Sequence, residues 1–243
     1  MRIIKLSATD STNVYLKNLM LSEPLADMTV VVADEQSKGR GQMGTKWVSD
    51  PGKNLTFSVL KKHVGLDVND QFRLNICISL AIAANLKALQ LPDIKIKWPN
   101  DILSGTSKVC GVLVENILLG NQIKASIIGI GLNVNQLDFN NLINVSSIKL
   151  LLGRAINLDE LLLAVMSNLE RNFFRLKEKP SYDLWRDYEN LLFRKDRPST
   201  FKNKKGEFFM GFIRGVSKEG RLMVALEDEV IKAFDLKEVK LMY

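Results

Sequence analysis

Histidine is almost missing from this chain: His63 stands alone in 243 residues. That excludes a multi-histidine metal centre, and every mechanism needing a histidine base unless His63 is that base. Cysteine is nearly as scarce. Cys77 and Cys110 are the only two, which excludes a disulfide-stapled fold. Six Pro and 15 Gly are too few for a collagen-like or low-complexity chain. Long apolar runs are absent as well: the longest, Ile76 to Ala84, is about half of what a membrane-spanning helix needs. The first residues carry Arg2 and Lys5, charge that comes too early for a signal peptide. A soluble, cytoplasmic protein with no membrane partner is the expectation, consistent with the sparse thiols.

What is present is ordinary globular composition, 46% hydrophobic and 25% charged, enough for one large core and a small second unit. Lys and Arg number 34 against 27 Asp and Glu, a net +7. That balance suits nucleic acid, phosphate-bearing ligands or an acidic protein, and selects none of them.

Periodicity lays out the elements. Ile3 to Leu6 predicts a short strand, and Asp10-Ser11-Thr12-Asn13 offers four N-cap side chains before a helix through Tyr15, Leu16, Leu19 and Met20. Thr29 to Ala33 predicts a buried strand and Leu55 to Leu60 a strand with one buried face. Gln71 to Leu91 has the apolar spacing of a long, largely buried helix. Ile94 to Trp98 predicts a strand ended by Pro99, with Asn100 and Asp101 at its exposed end. Val109 to Glu115 and Ile123 to Gly129 predict a hairpin turning at Gly120-Asn121. Asn135 to Ser147 predicts an irregular loop. Asn157 with Glu160 forms a capping-box pattern for a helix reaching about Lys179 and stopping at Pro180, and Ser181 to Arg194 predicts another. Beyond Lys195, short strands at Phe208 to Ile213, Leu222 to Leu226 and Val230 to Phe234 predict a small β-barrel. Two domains follow, 1–194 and 195–243.

Four segments carry candidate chemistry. Ser37 to Trp47 holds three glycines in six positions with Lys38, Arg40 and Lys46, which suits a loop whose backbone N–H groups nest a phosphate. The same composition suits a flexible surface loop or an RNA-binding Arg-Gly segment. Lys97-Trp98-Pro99-Asn100-Asp101 followed by Lys108 sets a carboxylate and an ammonium at neighbouring strand ends. That suits Mg²⁺-triphosphate with Asp101 toward the metal, or a turn satisfying its own backbone. Gly129-Ile130-Gly131-Leu132-Asn133 suits a flat ligand lying on the backbone, or a bulge. Ser11, Thr12 and Asn13 suit a small polar ligand, or capping. Cys77, Cys110, the Leu161-Leu162-Leu163 run and Trp185 read as core, His63 as surface, and Glu227-Asp228-Glu229 as a charged turn.

In this order the segments resemble the biotin protein ligases (biotin–[acetyl-CoA-carboxylase] ligases) of the bacterial type. The resemblance rests on Asp10 to Asn13, Gln36 to Gly41, Trp47 with Asn54-Leu55, Lys97 to Asp101, Lys108 to Glu115 and Gly129 to Asn133. It covers residues 1–190 closely and the tail more loosely. It implies an α+β fold, a mixed sheet packed with helices, plus an SH3-like C-terminal β-barrel. It implies biotin and ATP as substrates, Mg²⁺ as cofactor and a biotin carboxyl carrier protein as partner. Biotin would be activated to biotinyl-5′-adenylate and passed to a carrier lysine.

The resemblance also assigns roles. Ser11, Thr12, Asn13 and Gln36 would meet the ureido ring of biotin, and Gly111 and Leu113 would line its tail. Arg40, Gly41 and Gln42 would fold over the biotin carboxylate and the phosphates, with Lys46 and Trp47 on the nucleotide side. Lys108 would contact carboxylate and α-phosphate, so Lys108 and Arg40 are the candidate catalytic residues. Asn100 and Asn133 would face the nucleotide, and Asp101 would place Mg²⁺. Many relatives carry basic residues where this chain has Gln42 and Thr45, which implies weaker retention of the adenylate. Some begin with a helix-turn-helix; none precedes the first motif here, so specific DNA binding is not expected. The competing readings are a lipoate or octanoate protein ligase and a basic nucleic-acid module. The tail's eleven basic and eight acidic side chains are a weak footprint for the latter.

Overall fold

The computed structural model describes residues 1–140, 142–177 and 182–243. The first 132 residues form strands β1 (Ile3–Thr9), β2 (Val30–Gln36), β3 (Leu55–Asp67), β4 (Ile94–Lys97), β5 (Asp101–Ser104), β6 (Ser107–Leu119) and β7 (Gln122–Leu132). They make one seven-stranded sheet in the order β1-β2-β3-β7-β6-β5-β4. Only β1 and β2 pair in parallel; the other ladders are antiparallel. The predicted hairpin is present as β6 and β7, longer than expected at both ends, with Gly120 at φ +59° supplying the left-handed turn residue.

Helices cover both faces. Helix α1 (Thr12–Ser22) lays Leu16 over Val31, Leu60 and Ile127 on one side. Helix α2 (Gln71–Ala88) fills the other, where Ile76, Ile78, Ile82 and Leu86 are fully buried, each contributing about 1.5–3 kcal/mol by leaving water. Helices α3 (Ile148–Leu152), α4 (Leu158–Lys177) and α5 (Tyr182–Asn190) complete the set. Asn157 caps α4, its Oδ1 accepting from the N–H groups of Asp159 at 2.9 Å and Glu160 at 3.2 Å. The predicted helix end at Lys179-Pro180 and start at Ser181 lie outside the described residues.

Helix α5 is shorter than the predicted span to Arg194. Leu191 and Phe193 bond to the edge strand instead, with Ile96 N–H to Leu191 O at 2.7 Å and Phe193 N–H to Ile96 O at 2.8 Å. Those bonds satisfy the free edge of β4, which helical backbone could not do. Leu161 and Leu162 are core, but Leu163 faces solvent, since three successive positions cannot share one helix face. His63 is half-buried on β3, with Nε2 3.0 Å from Ser126 Oγ, because the strand continues past its predicted end at Leu60.

The tail forms a second sheet from β8 (Pro198–Asn203), β9 (Phe208–Val216), β10 (Leu222–Ala225), β11 (Ile231–Phe234) and β12 (Val239–Met242), ordered β11-β10-β9-β8-β12. Strands β5, β8 and β12 were not legible as apolar alternation. This sheet does not stand apart. Phe201, Ile213, Val224 and Phe234 join the same apolar core as Phe72 and Tyr188. Two indoles fasten it: Trp98 Nε1 donates to Gly220 O at 2.9 Å and Trp185 Nε1 to Val216 O at 3.2 Å.

Candidate active site

A single cleft of about 490 Å³ runs along the β6–β7 hairpin and ends beneath the tail sheet. Its closed end is neutral. The segment Ser11-Thr12-Asn13 enters α1 there, and all three side chains are buried. Ser11 makes no side-chain cap, so capping does not explain these residues. Thr12 instead gives its N–H to Gln36 Oε1 at 2.7 Å, with its hydroxyl 3.1 Å from the same atom. Asn13 bonds Ser58 Oγ at 2.6 Å and Glu115 Oε2 at 2.6 Å.

The floor is glycine. Gly111 pairs with Gly131 and Gly129 with Leu113 across β6 and β7 in regular register, so this stretch is not a bulge. A Cβ on Gly129 would stand 2.5 Å from Asn13 Oδ1, and one on Gly131 would stand 2.4 Å from Trp47 Cε2. The sheet surface is stripped there so that side chains from elsewhere can lie flat on it. Trp47 does so, its Nε1 buried without a hydrogen-bond partner.

Over the middle of the cleft sits the glycine-rich segment, folded as a small flap. Trp47 N–H donates to Gly39 O at 3.0 Å and Gly41 N–H to Thr45 O at 2.7 Å, while Arg40 bridges Lys46. Thr45 closes the turn, its Oγ1 donating to Gln42 O at 2.8 Å. Asp10 tethers the root of the flap through Ser37 Oγ at 2.7 Å and Lys38 Nζ at 2.9 Å. The Ser37 bond and then the Lys38 ammonium hold the Asp10 carboxyl below its usual range.

The open end is cationic. Lys108 Nζ lies 2.7 Å from Asp101 Oδ1. Its backbone is clamped on both sides, Lys108 N–H to Asn144 O at 2.7 Å and Ser146 N–H to Lys108 O at 3.0 Å. Arg40, Lys46, Lys97, Lys237 and Lys240 share the lining with Lys108, against Asp101 as the only acid among the described residues there. Burial, only partly offset by the Asp101 charge, pushes the Lys97 ammonium below its usual range, and its Nζ stands 4.7 Å over the Tyr243 ring.

Of the predicted site residues, the structure gathers Ser11, Thr12, Asn13, Gln36, Arg40, Gly41, Gln42, Lys46, Trp47, Asn100, Asp101, Lys108, Gly111 and Leu113 around this one cleft. Asn133 is not on its wall. It is buried, and its Nδ2 donates to Ser146 O at 3.1 Å, bracing the segment that clamps Lys108. Asn100 is not at an exposed strand end: it is 3% exposed, with Nδ2 donating to Val112 O. The tail's Lys237 and Lys240 were missed, because nothing local marks a surface lysine as one that a second sheet will carry back to the site. Both cysteines are inert core; burial pushes the Cys77 thiol up to about 12 and raises Cys110 as well.

A neutral hydrogen-bonding pocket joined by a glycine floor to a cationic mouth defines a site for an elongated ligand with a polar head and an anionic tail. The chain belongs to the Biotin/lipoate A/B protein ligase family, whose signature matches residues 6–133. The biotin protein ligase from Aquifex aeolicus, solved with biotin and ATP, superposes with a TM-score of 0.81 at 28% identity, over 99% of this chain and 98% of that one. The bifunctional ligase/repressor BirA of Salmonella typhimurium is 30% identical over 97% of this chain and 73% of its own length. BirA of Bacillus spizizenii is 38% identical over 44% of this chain, a match spanning 33% of that protein. With Bacillus subtilis BirA the match spans 39% of the relative.

Proposed function

We propose that this protein activates biotin with ATP to biotinyl-5′-adenylate and transfers biotin to a lysine of a biotin carboxyl carrier protein. One observation carries the reading: the neutral pocket and the cationic mouth are the two ends of one cleft. Biotin has the matching layout, an uncharged cyclic urea at one end and a carboxylate at the other.

In the first half-reaction a biotin carboxylate oxygen attacks the α-phosphorus of ATP, the bond to the bridging oxygen breaks, and pyrophosphate leaves. In the second, the carrier amine attacks the acyl carbon, the bond to the AMP oxygen breaks, and the amine gives up its proton. No protein nucleophile is consumed, which agrees with two inert cysteines. This chain supplies alignment and charge. The Ser11–Asn13 and Gln36 end holds the urea, and Gly111 and Leu113 border the tail. Lys108, leaving Asp101, neutralises carboxylate and α-phosphate oxygens. Arg40, Gly41, Gln42 and Lys46 cover the mixed anhydride and exclude water, with Trp47 beneath them. Asn100, through its bond to Val112, fixes the turn facing the nucleotide; Asn133 acts from behind, through the clamp on Lys108.

Asp101 fits a Mg²⁺ ion that arrives with the nucleotide, because Mg²⁺ takes one or two carboxylates alongside phosphate oxygens. Among the described residues no cluster of three metal-ligating side chains exists to hold one by itself. When bound, the ion would supply charge neutralisation of the triphosphate. We further assign 1–194 as the catalytic domain and 195–243 as an SH3-like domain, and place the protein in the cytoplasm; no helix among the described residues is long and apolar enough to cross a membrane.

The test is ATP–pyrophosphate exchange with Mg-ATP and either biotin or lipoate, followed by labelling of a carrier domain. Biotin-dependent exchange and carrier labelling are expected. Exchange with lipoate alone would move the assignment to the lipoate ligases, and exchange with neither would end it.

A further inference from the structure

Behind the closed end of the cleft, a line of polar groups runs from the pocket to a carboxylate that does not touch it. Asn13 Nδ2 donates to Glu115 Oε2 at 2.6 Å. Ser58 Oγ lies 2.6 Å from Asn13 Oδ1 and 2.7 Å from Thr12 Oγ1. Thr12 Oγ1 is in turn 3.1 Å from Gln36 Oε1, which already accepts from Thr12 N–H. Thr12, Asn13 and Ser58 are almost completely buried, so water cannot rearrange this line.

Counting protons fixes its direction. A carboxylate only accepts, so the Asn13 amide must turn its NH₂ to Glu115 and its oxygen to Ser58. That oxygen also only accepts, so the single Ser58 proton is spent on Asn13. Ser58 Oγ therefore cannot donate to Thr12, and the Thr12 proton points back into the protein, to Ser58 or to Gln36. Thr12 Oγ1 is left facing the cleft as an acceptor. Gln36, which lines the cleft, has its oxygen held by the Thr12 backbone, so its NH₂, on the Gly39 side, is left as the donor. Gly129 makes room for this arrangement, since any Cβ there would collide with Asn13 Oδ1.

We infer that Glu115 and Ser58 are positioning residues that set the hydrogen-bond polarity of the pocket, so that it reads a ligand head offering an N–H beside a carbonyl. This rests on the reading that biotin's urea occupies that end. A dithiolane head, as in lipoate, has neither group and gains nothing from the line.

The test is the affinity for biotin and for ATP, measured separately by calorimetry on the full chain. Glu115→Leu removes the anchoring acceptor, and Ser58→Ala removes the link without touching Glu115. Each is expected to weaken biotin about tenfold, the scale of one lost buried hydrogen bond, with ATP affinity within about twofold of wild type. The double variant should be no weaker than the worse single variant, since both break one line. Glu115→Gln keeps an oxygen acceptor in place and should recover most of the affinity. Wild-type biotin binding in both single variants, losses that multiply, or an equal loss of ATP binding would overturn the inference while leaving the ligase reading intact. No biotin binding by the wild type would overturn both.

Discussion

The two ends of the cleft are built from opposite materials. The closed end consists of uncharged groups, with Thr12, Asn13 and Gln36 oriented by hydrogen bonds to one another, to Ser58 and to Glu115, on elements rooted in the sheet. The mouth consists of charged side chains on a flap, a hairpin edge and the second sheet, held by one ion pair in which Lys108 and Asp101 keep 30% and 25% of their side-chain exposure. A pre-oriented neutral pocket binds through shape and hydrogen-bond matching and changes little on filling. A cationic mouth has to exchange partners as the reaction proceeds. The difference suits recognition at one end and chemistry at the other.

Variants should separate along the same line. The largest effect is expected from Lys108→Ala, which should lower biotin-dependent ATP–pyrophosphate exchange on the order of 10²–10³-fold with a near-wild-type melting temperature. A matching loss of biotin affinity would break the division between the ends. Next comes Gly131→Ala, whose methyl would enter the space of Trp47. Displacing the indole from the glycine floor should cut ligand affinity at least tenfold, read by thermal shift with biotin and ATP together. Arg40→Ala should reduce ATP affinity and hasten release of the adenylate by roughly several-fold, within the range expected for an exposed charge, as a stopped-flow chase would measure. The smallest effect is that of salt. Raising ionic strength from about 0.05 to 0.5 M should raise the KM for ATP a few-fold and weaken biotin less, because screening acts on the mouth, where ATP places several charges and biotin only its carboxylate.

Some of this was legible in the residues. The β-branched run of β2 and the Ile, Val and Leu patterning of β3, β4, β6 and β7 marked strands because each buries apolar side chains in the core. The glycines marked the floor and the flap because only a missing side chain allows such close approach. Other features were hidden for equally physical reasons. β5 sets Ile102 and Leu103 side by side between two polar residues, and β12 has a single lysine before it runs on into Met242, so neither shows a clear apolar period. Ser11, Thr12 and Asn13 look like helix caps in any sequence, since capping and ligand binding use the same side chains. Asn133 sits within a glycine-rich ligand-type motif, yet its amide is spent on Ser146.

The sequence by itself determined which groups exist and how densely: a chain with one histidine and two cysteines, with glycines where backbone must be touched and cations to meet an anion. Those are local properties, set by side-chain chemistry and spacing. Only the tertiary structure decided which of them meet. Glu115 reaches Asn13 across 102 positions, and Lys237 and Lys240 come to the mouth because the two sheets share one apolar core. Burial of that core makes those long-range neighbours, and no local pattern encodes them.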